Sequence, residues 1–90
     1  MEVKHGKNKF YIGEESEPKA EMTYVVSGEH LIIVDHTHVS DELRGQGAGG
    51  RMLAALTDWA RREGIKIIPL CPYAKAQMEK NEAYYDLIHS

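Results

Sequence analysis

Leu43-Arg44-Gly45-Gln46-Gly47-Ala48-Gly49-Gly50 is the stretch on which the reading of this chain turns. It sets four glycines within six residues, after an apolar run, Leu31 to Val34, and before a helical pattern that begins at Met52. A glycine-rich turn between a strand and a helix suits phosphate. The first amides of a helix have no intrahelical acceptor, and the helix dipole adds partial positive charge. Glycine also lets a ligand approach the backbone, because no Cβ stands in the way.

Downstream of the turn, Met52, Leu53, Leu56, Trp59 and Ala60 fall on one face at helical spacing, while Arg51, Asp58, Arg61 and Arg62 lie off it. Gly64 ends that helix. Ile65 to Leu70 is a compact apolar run and predicts a buried strand. Cys71-Pro72 opens a second helix, with proline at its favoured first position, running to about Lys80. Asn81 to Ser90 reads as a turn and a short terminal element.

The first half reads as strands. Lys9 to Ile12 is short and ends at Gly13, and Glu14 to Lys19 is an acidic turn containing Pro18. Ala20 to Val26 carries Tyr24, Val25 and Val26, which favour strands. Ser27-Gly28-Glu29 is a tight connection, and His30 to Val39 is predicted as the third and longest strand. Three antiparallel strands, a crossover helix, a parallel strand and a helix predict an α/β, layered (α+β-like) fold, in one domain over residues 1–90.

Composition narrows the function. The formal charge of −3 lacks the basic footprint of nucleic-acid binders, so no nucleic-acid partner is expected. A lone cysteine, Cys71, forms no intrachain disulfide and fits a reducing compartment. No apolar stretch approaches the ~18–20 residues that span a bilayer, and the N-terminus lacks the apolar core of a signal peptide. The expectation is a cytoplasmic protein without a membrane partner.

Three phosphate motifs compete for the glycine turn. The P-loop needs Lys-Ser or Lys-Thr after its last glycine, and here Arg51-Met52 follows Gly50. Gly45-x-Gly47-x-x-Gly50 satisfies the dinucleotide fingerprint, but hairpins precede it rather than half of a doubly wound sheet. Arg44-Gly45-Gln46-Gly47-Ala48-Gly49 matches the Q/R-x-x-G-x-G/A signature of the GNAT superfamily of acetyl-CoA-dependent N-acetyltransferases. With His36-Thr37-His38-Val39 and Ile67-Ile68-Pro69-Leu70-Cys71-Pro72-Tyr73-Ala74-Lys75, the whole chain resembles the small stand-alone bacterial proteins of that superfamily.

The resemblance implies acetyl transfer from acetyl-CoA to an amine. Backbone amides of Gly45, Gln46, Gly47, Ala48, Gly49 and Gly50 would hold the pyrophosphate, with Arg44 and Arg51 adding charge-assisted contacts. Backbone groups of Thr37, His38 and Val39 would face the pantetheine arm, which lies in a splay between the two parallel strands. Lys75 and Lys80 are candidates for the adenosine phosphates.

Acetyl transfer needs a proton acceptor for the amine, donors to the carbonyl oxygen and a proton for the departing thiolate. Candidates for the base are Asp35, His36 and His38, with strand alternation placing the two histidines on one face and Asp35 on the other. His-x-His without a third ligand predicts no metal site. Cys71, at a strand end before a helix, is a candidate nucleophile or proton donor, or a small packing residue. Among Tyr73, Tyr84 and Tyr85, Tyr85 comes nearest to the superfamily's general acid. The superfamily's N-terminal helical segment has no counterpart here. The acceptor side should therefore be open, suiting a protein or peptide amine, or be completed by a partner such as a second copy in a homodimer. A small-molecule acceptor, and a non-catalytic acyl-CoA-binding or sensing role, stay open at this point. A nucleotide- or RNA-binding domain is the third reading.

Overall fold

The computed structural model describes residues 1–89. Five strands form one sheet in sequence order: β1 Lys4–Gly6, β2 Lys9–Gly13, β3 Pro18–Gly28, β4 Leu31–Val39 and β5 Lys66–Pro69. The first four are antiparallel neighbours, and β5 joins β4 in parallel after the crossover helix α1, Ala48–Glu63. A second helix, α2 (Pro72–Glu79), follows β5. Among the described residues, no helix is long and apolar enough to cross a membrane.

Side-chain alternation divides the sheet into a core face and an outer face. Phe10, Ile12, Ala20, Met22, Tyr24, Ile32, Val34 and Ile67 point inward, against Met52, Leu53, Leu56 and Ala60 of α1 and Ala74 and Met78 of α2. The stripe predicted for α1 is therefore the buried one, with Trp59 partly covered at its margin. Gly64 closes α1, its amide reaching back to the Ala60 and Arg61 carbonyls. Lys9, Glu21, Thr23, His36 and His38 lie on the outer face, paired across strands as Lys9↔Thr23↔His36 and Glu21↔His38.

Four boundaries differ from the sequence-based expectation. β3, with eleven residues, is longer than β4, with nine, because Pro18 and Lys19 leave the acidic turn and pair onward from Gly13. Helix α1 starts at Ala48 rather than Met52, so Gly49 and Gly50 lie inside its first turn. Burial of Ala48 and Met52 on the core face offsets the conformational cost of those glycines. Leu70 lies beyond β5 and is 65% exposed, so the apolar run does not end in the core. The fourth is β1, which has no apolar pattern. It is held instead by His5, whose ring stacks on Phe10 at 4.1 Å and meets Trp59 edge-on at 4.7 Å. His5 Nε2 also lies 2.7 Å from the Tyr24 hydroxyl, and burial lowers the pKa of the imidazole.

The tail returns to the sheet. Residues Glu82–Leu87 form a short 3-10 segment, and Ile88 then makes a parallel bridge to Ile67. Arg61 of α1 grips that tail through the Asp86 carboxylate at 3.0 Å and the Ala83 carbonyl at 2.9 Å.

Candidate active site

The site is built where β4 and β5 part. Their register runs from Leu31↔Lys66 to Val34↔Pro69 and stops there. The Val34 carbonyl then takes two amides, from Leu70 at 3.0 Å and Cys71 at 2.9 Å, as the chain turns away into α2. Pro72 enforces the departure, since it fits the first turn of a helix and cannot extend a strand ladder. β4 continues to Val39 with only β3 beside it.

The direction of the free backbone groups follows from alternation. Ser40 donates its amide to the Lys19 carbonyl at 2.8 Å, toward β3. Two residues back, His38 faces the same way, so Thr37 and Val39 direct their amides and carbonyls into the splay. Of the three residues expected to face the pantetheine arm, Thr37 and Val39 turn their backbone groups into the splay. His38 instead spends its backbone on β3 and turns its side chain to the outer face.

A register shift between Thr23 and Tyr24 marks a bulge in the partner strand: Thr23 pairs with His36 and Tyr24 with Val34, leaving Asp35 unpaired. The extra residue overturns the simple alternation used above. Asp35 does not point away from the histidines. Its carboxylate accepts from the Thr23 hydroxyl at 2.6 Å, on the face that carries His36. Asp35, His36 and His38 are thus all exposed on the outer side of the splay.

The inner side holds Cys71. It is buried, and its Sγ lies 3.2 Å from the Thr37 hydroxyl, directly across the gap between the diverging strands. The thiol therefore stands at the throat of the splay, at the N-cap of α2.

Beyond Val39, at the C-terminal end of β4, lies the glycine turn. A 3-10 turn, Asp41–Leu43, leads into it, and Gly47 caps α1 with φ of 76°. The first helical bond runs from the Arg51 amide to the Gly47 carbonyl at 3.0 Å. The amides of Ala48, Gly49 and Gly50 therefore precede the ladder, and no acidic side chain in the first turn neutralises them. Space beside Gly47 is open where a Cβ would stand, so its requirement is conformational: the left-handed φ. Arg44 pairs with Asp41 at 3.1 Å on the surface, an arrangement of about 0–1 kcal/mol that another anion can displace. Arg51 and Lys75 are exposed on their helices, and the Gln46 side chain donates to the Glu42 carbonyl at 2.9 Å.

The tyrosines separate. The Tyr85 hydroxyl donates to the Glu79 carbonyl at 2.8 Å, at the far end of α2. Eight residues of helix, about 12 Å, lie between that carbonyl and Cys71. The structure does not bring Tyr85 to the thiol. Tyr73 is the tyrosine that reaches this region: its ring lies against Gly49, at the start of α1, two residues after Cys71. Burial raises the Tyr73 pKa, with smaller contributions from Tyr84 and Cys71. Its position on the first turn of α2 was readable from Pro72, but its partner Gly49 was not.

A glycine-capped helix after a strand that splays from its parallel neighbour is a family architecture, and the family model for GCN5-related N-acetyl-transferases matches residues 9–87. This chain belongs to that family. Membership makes it an acyltransferase by class, and the five-stranded mixed sheet agrees. The solution NMR structure of a GCN5-like protein from Staphylococcus aureus is similar over 99% of this chain and 88% of that one, with 46% identity and a TM-score of 0.82. No curated protein matches the chain.

Proposed function

We propose that this GCN5-related protein transfers acetyl from acetyl-CoA directly to an amine, with the cofactor lying in the splay between β4 and β5. One observation carries the reading. The unpaired β4 edge at Thr37 and Val39 runs from a glycine-capped helix N-terminus to a throat lined by Thr37 and Cys71. A ligand with a pyrophosphate at one end and an amide-bearing arm at the other matches that sequence of donors and acceptors. The amides of Gly45 to Gly50 and the Arg44 and Arg51 guanidinium groups would meet the phosphates. Thr37 and Val39 would pair with the arm as a missing strand does. Lys75, exposed on α2, would extend toward the adenosine end.

The two sides of the throat have different chemistry. The amine approaches from the outer face, where Asp35 and the two histidines can take its proton. The C–N bond forms, the thioester C–S bond breaks, and the thiolate leaves on the inner side near Cys71. The direct route keeps Cys71 as a lining group that can return a proton to the thiolate, rather than as an acetylated intermediate. The acceptor is an amine of a small molecule or a polypeptide, and the histidine-bearing outer face is where it would dock.

A second reading, a non-catalytic acyl-CoA-binding module on the same fold, is favoured by Tyr85 being tied to Glu79 and away from the thiol. Thermal denaturation with acetyl-CoA tests both. Ligand at about 100 times its Kd adds about 2.7 kcal/mol of stability, and no shift at saturation refutes both readings. Mass-spectrometric detection of acetylated product across an amine panel separates them.

A further inference from the structure

Gly49 and Tyr73 make a contact that the cradle and the throat do not account for. A Cβ built on Gly49 would sit 2.7 Å from the Tyr73 hydroxyl, 2.8 Å from Cζ and 3.0 Å from Cε2. Gly49 has no left-handed φ, so its backbone does not demand glycine. The demand comes from the ring. Gly50, one residue on, has that hydroxyl at 4.0 Å and nothing nearer, so the contact is specific to one position. No hydrogen bond to the Tyr73 hydroxyl occurs among the described residues, which makes the ring rather than the oxygen the working part.

The ring bridges two helix N-termini. Gly49 lies in the first turn of α1, beside the amides of the glycine turn. Tyr73 lies in the first turn of α2, beside Cys71. Each helix rests separately on the sheet through Met52 and Leu53, or Ala74 and Met78. We propose that Tyr73 is a positioning residue: its ring, seated on Gly49, sets the distance between the phosphate cradle and the Cys71 throat, and thereby the length of cofactor that the splay accepts. This rests on the cofactor placement proposed above. An ångström of slip between the two ends would misplace the thioester while leaving the phosphates held, so the contact acts on both affinity and turnover.

The test is a double-mutant cycle read by calorimetric titration with CoA, using Gly49→Ala, Tyr73→Ala, the pair together, and Tyr73→Phe. Gly49→Ala should weaken CoA about tenfold by overpacking the contact. Tyr73→Phe should stay within about twofold of the parent, since the ring is kept. The double variant should bind no worse than Tyr73→Ala alone, because the three atoms nearest the new Cβ all belong to the ring that is gone. Affinity losses that multiply across the cycle overturn the proposal, as does unchanged CoA affinity in Gly49→Ala. A double variant that fails to fold where Tyr73→Ala folds also overturns it, since the need for glycine would then not come from the ring. If the parent chain itself binds no CoA, the cofactor placement fails first, and that result is distinct from all of these.

Discussion

Gly50→Ala separates what the protein needs at the start of α1 from what its ligand needs. Gly50 has an ordinary helical conformation, and the nearest atom to an added Cβ is the Tyr73 hydroxyl at 4.0 Å, ordinary contact distance. Nothing in the protein requires glycine there. Alanine loses less backbone entropy on folding and should stabilise the free protein by about 0.5–1 kcal/mol. For a domain of this size that is a rise in Tm of about 2–8 °C. The same Cβ leans toward the helix N-terminus, over the amides proposed to hold the pyrophosphate. If phosphate approaches there and affinity drops about tenfold, acetyl-CoA at 100 times the parent Kd becomes about 10 times the variant's Kd. The ligand-induced gain then falls from about 2.7 to about 1.4 kcal/mol. Differential scanning calorimetry with and without acetyl-CoA reads both numbers from one pair of samples. A higher apo Tm with a halved ligand shift is expected. A raised Tm with an undiminished ligand shift would refute phosphate approach at Gly50, and a lowered apo Tm would refute the helical first turn described above.

Gly47→Ala places a Cβ in a left-handed backbone, costing about 1–2 kcal/mol, and should lower the apo Tm, the opposite sign from Gly50→Ala, as well as weakening CoA. Gly47→Val, bulkier at the same position, should weaken CoA more severely in titration. Asp35→Asn should cut turnover with amines while leaving CoA affinity within about twofold, since the carboxylate lies on the outer side of the splay; an equal loss in CoA binding would move Asp35 to the cofactor side. Cys71→Ala should retain CoA binding and measurable acetyl transfer, and complete loss of transfer in a folded variant would replace the direct route by an acetyl-cysteine one. The Arg61 hydrogen bond holds the Asp86 pKa below its usual range, so the tail's contribution is full above that range and is lost as pH falls through the lowered value. Protection of the His89 amide, which donates to the Ile67 carbonyl at 2.8 Å, against exchange relative to its intrinsic rate should fall in that acid window and should fall at neutral pH in Asp86→Asn.

The fold was legible where burial is periodic. The stripe Met52, Leu53, Leu56 and Ala60 and the run around Ile67 read directly as helix and strand, because each position is used once and by the core. β1 was not legible, since Lys4-His5-Gly6 is held by aromatic stacking on Phe10 across the turn and on Trp59, far from it in the sequence. The glycine turn stood out because its composition costs entropy that an ordinary turn avoids, and it forms the cap and first turn of α1. The outer face of β4 was misread at one residue. A single unpaired position, Asp35, turns a carboxylate to the other side, and the register of β3 that creates it is a tertiary fact. Tyr85 was singled out by proximity in sequence to a familiar pattern, whereas the helical turn after Pro72 carries Tyr73 toward the cradle.

The returning tail also governs how the molecule behaves toward its own kind. Without Ile88, the last strand would offer Ile67 and its unpaired backbone as an open template for further strand addition. The bridge at Ile88 occupies that template, and the Arg61–Asp86 pair keeps it occupied. Shortening the chain before Asp86 should therefore increase self-association, with the new contacts forming along β5.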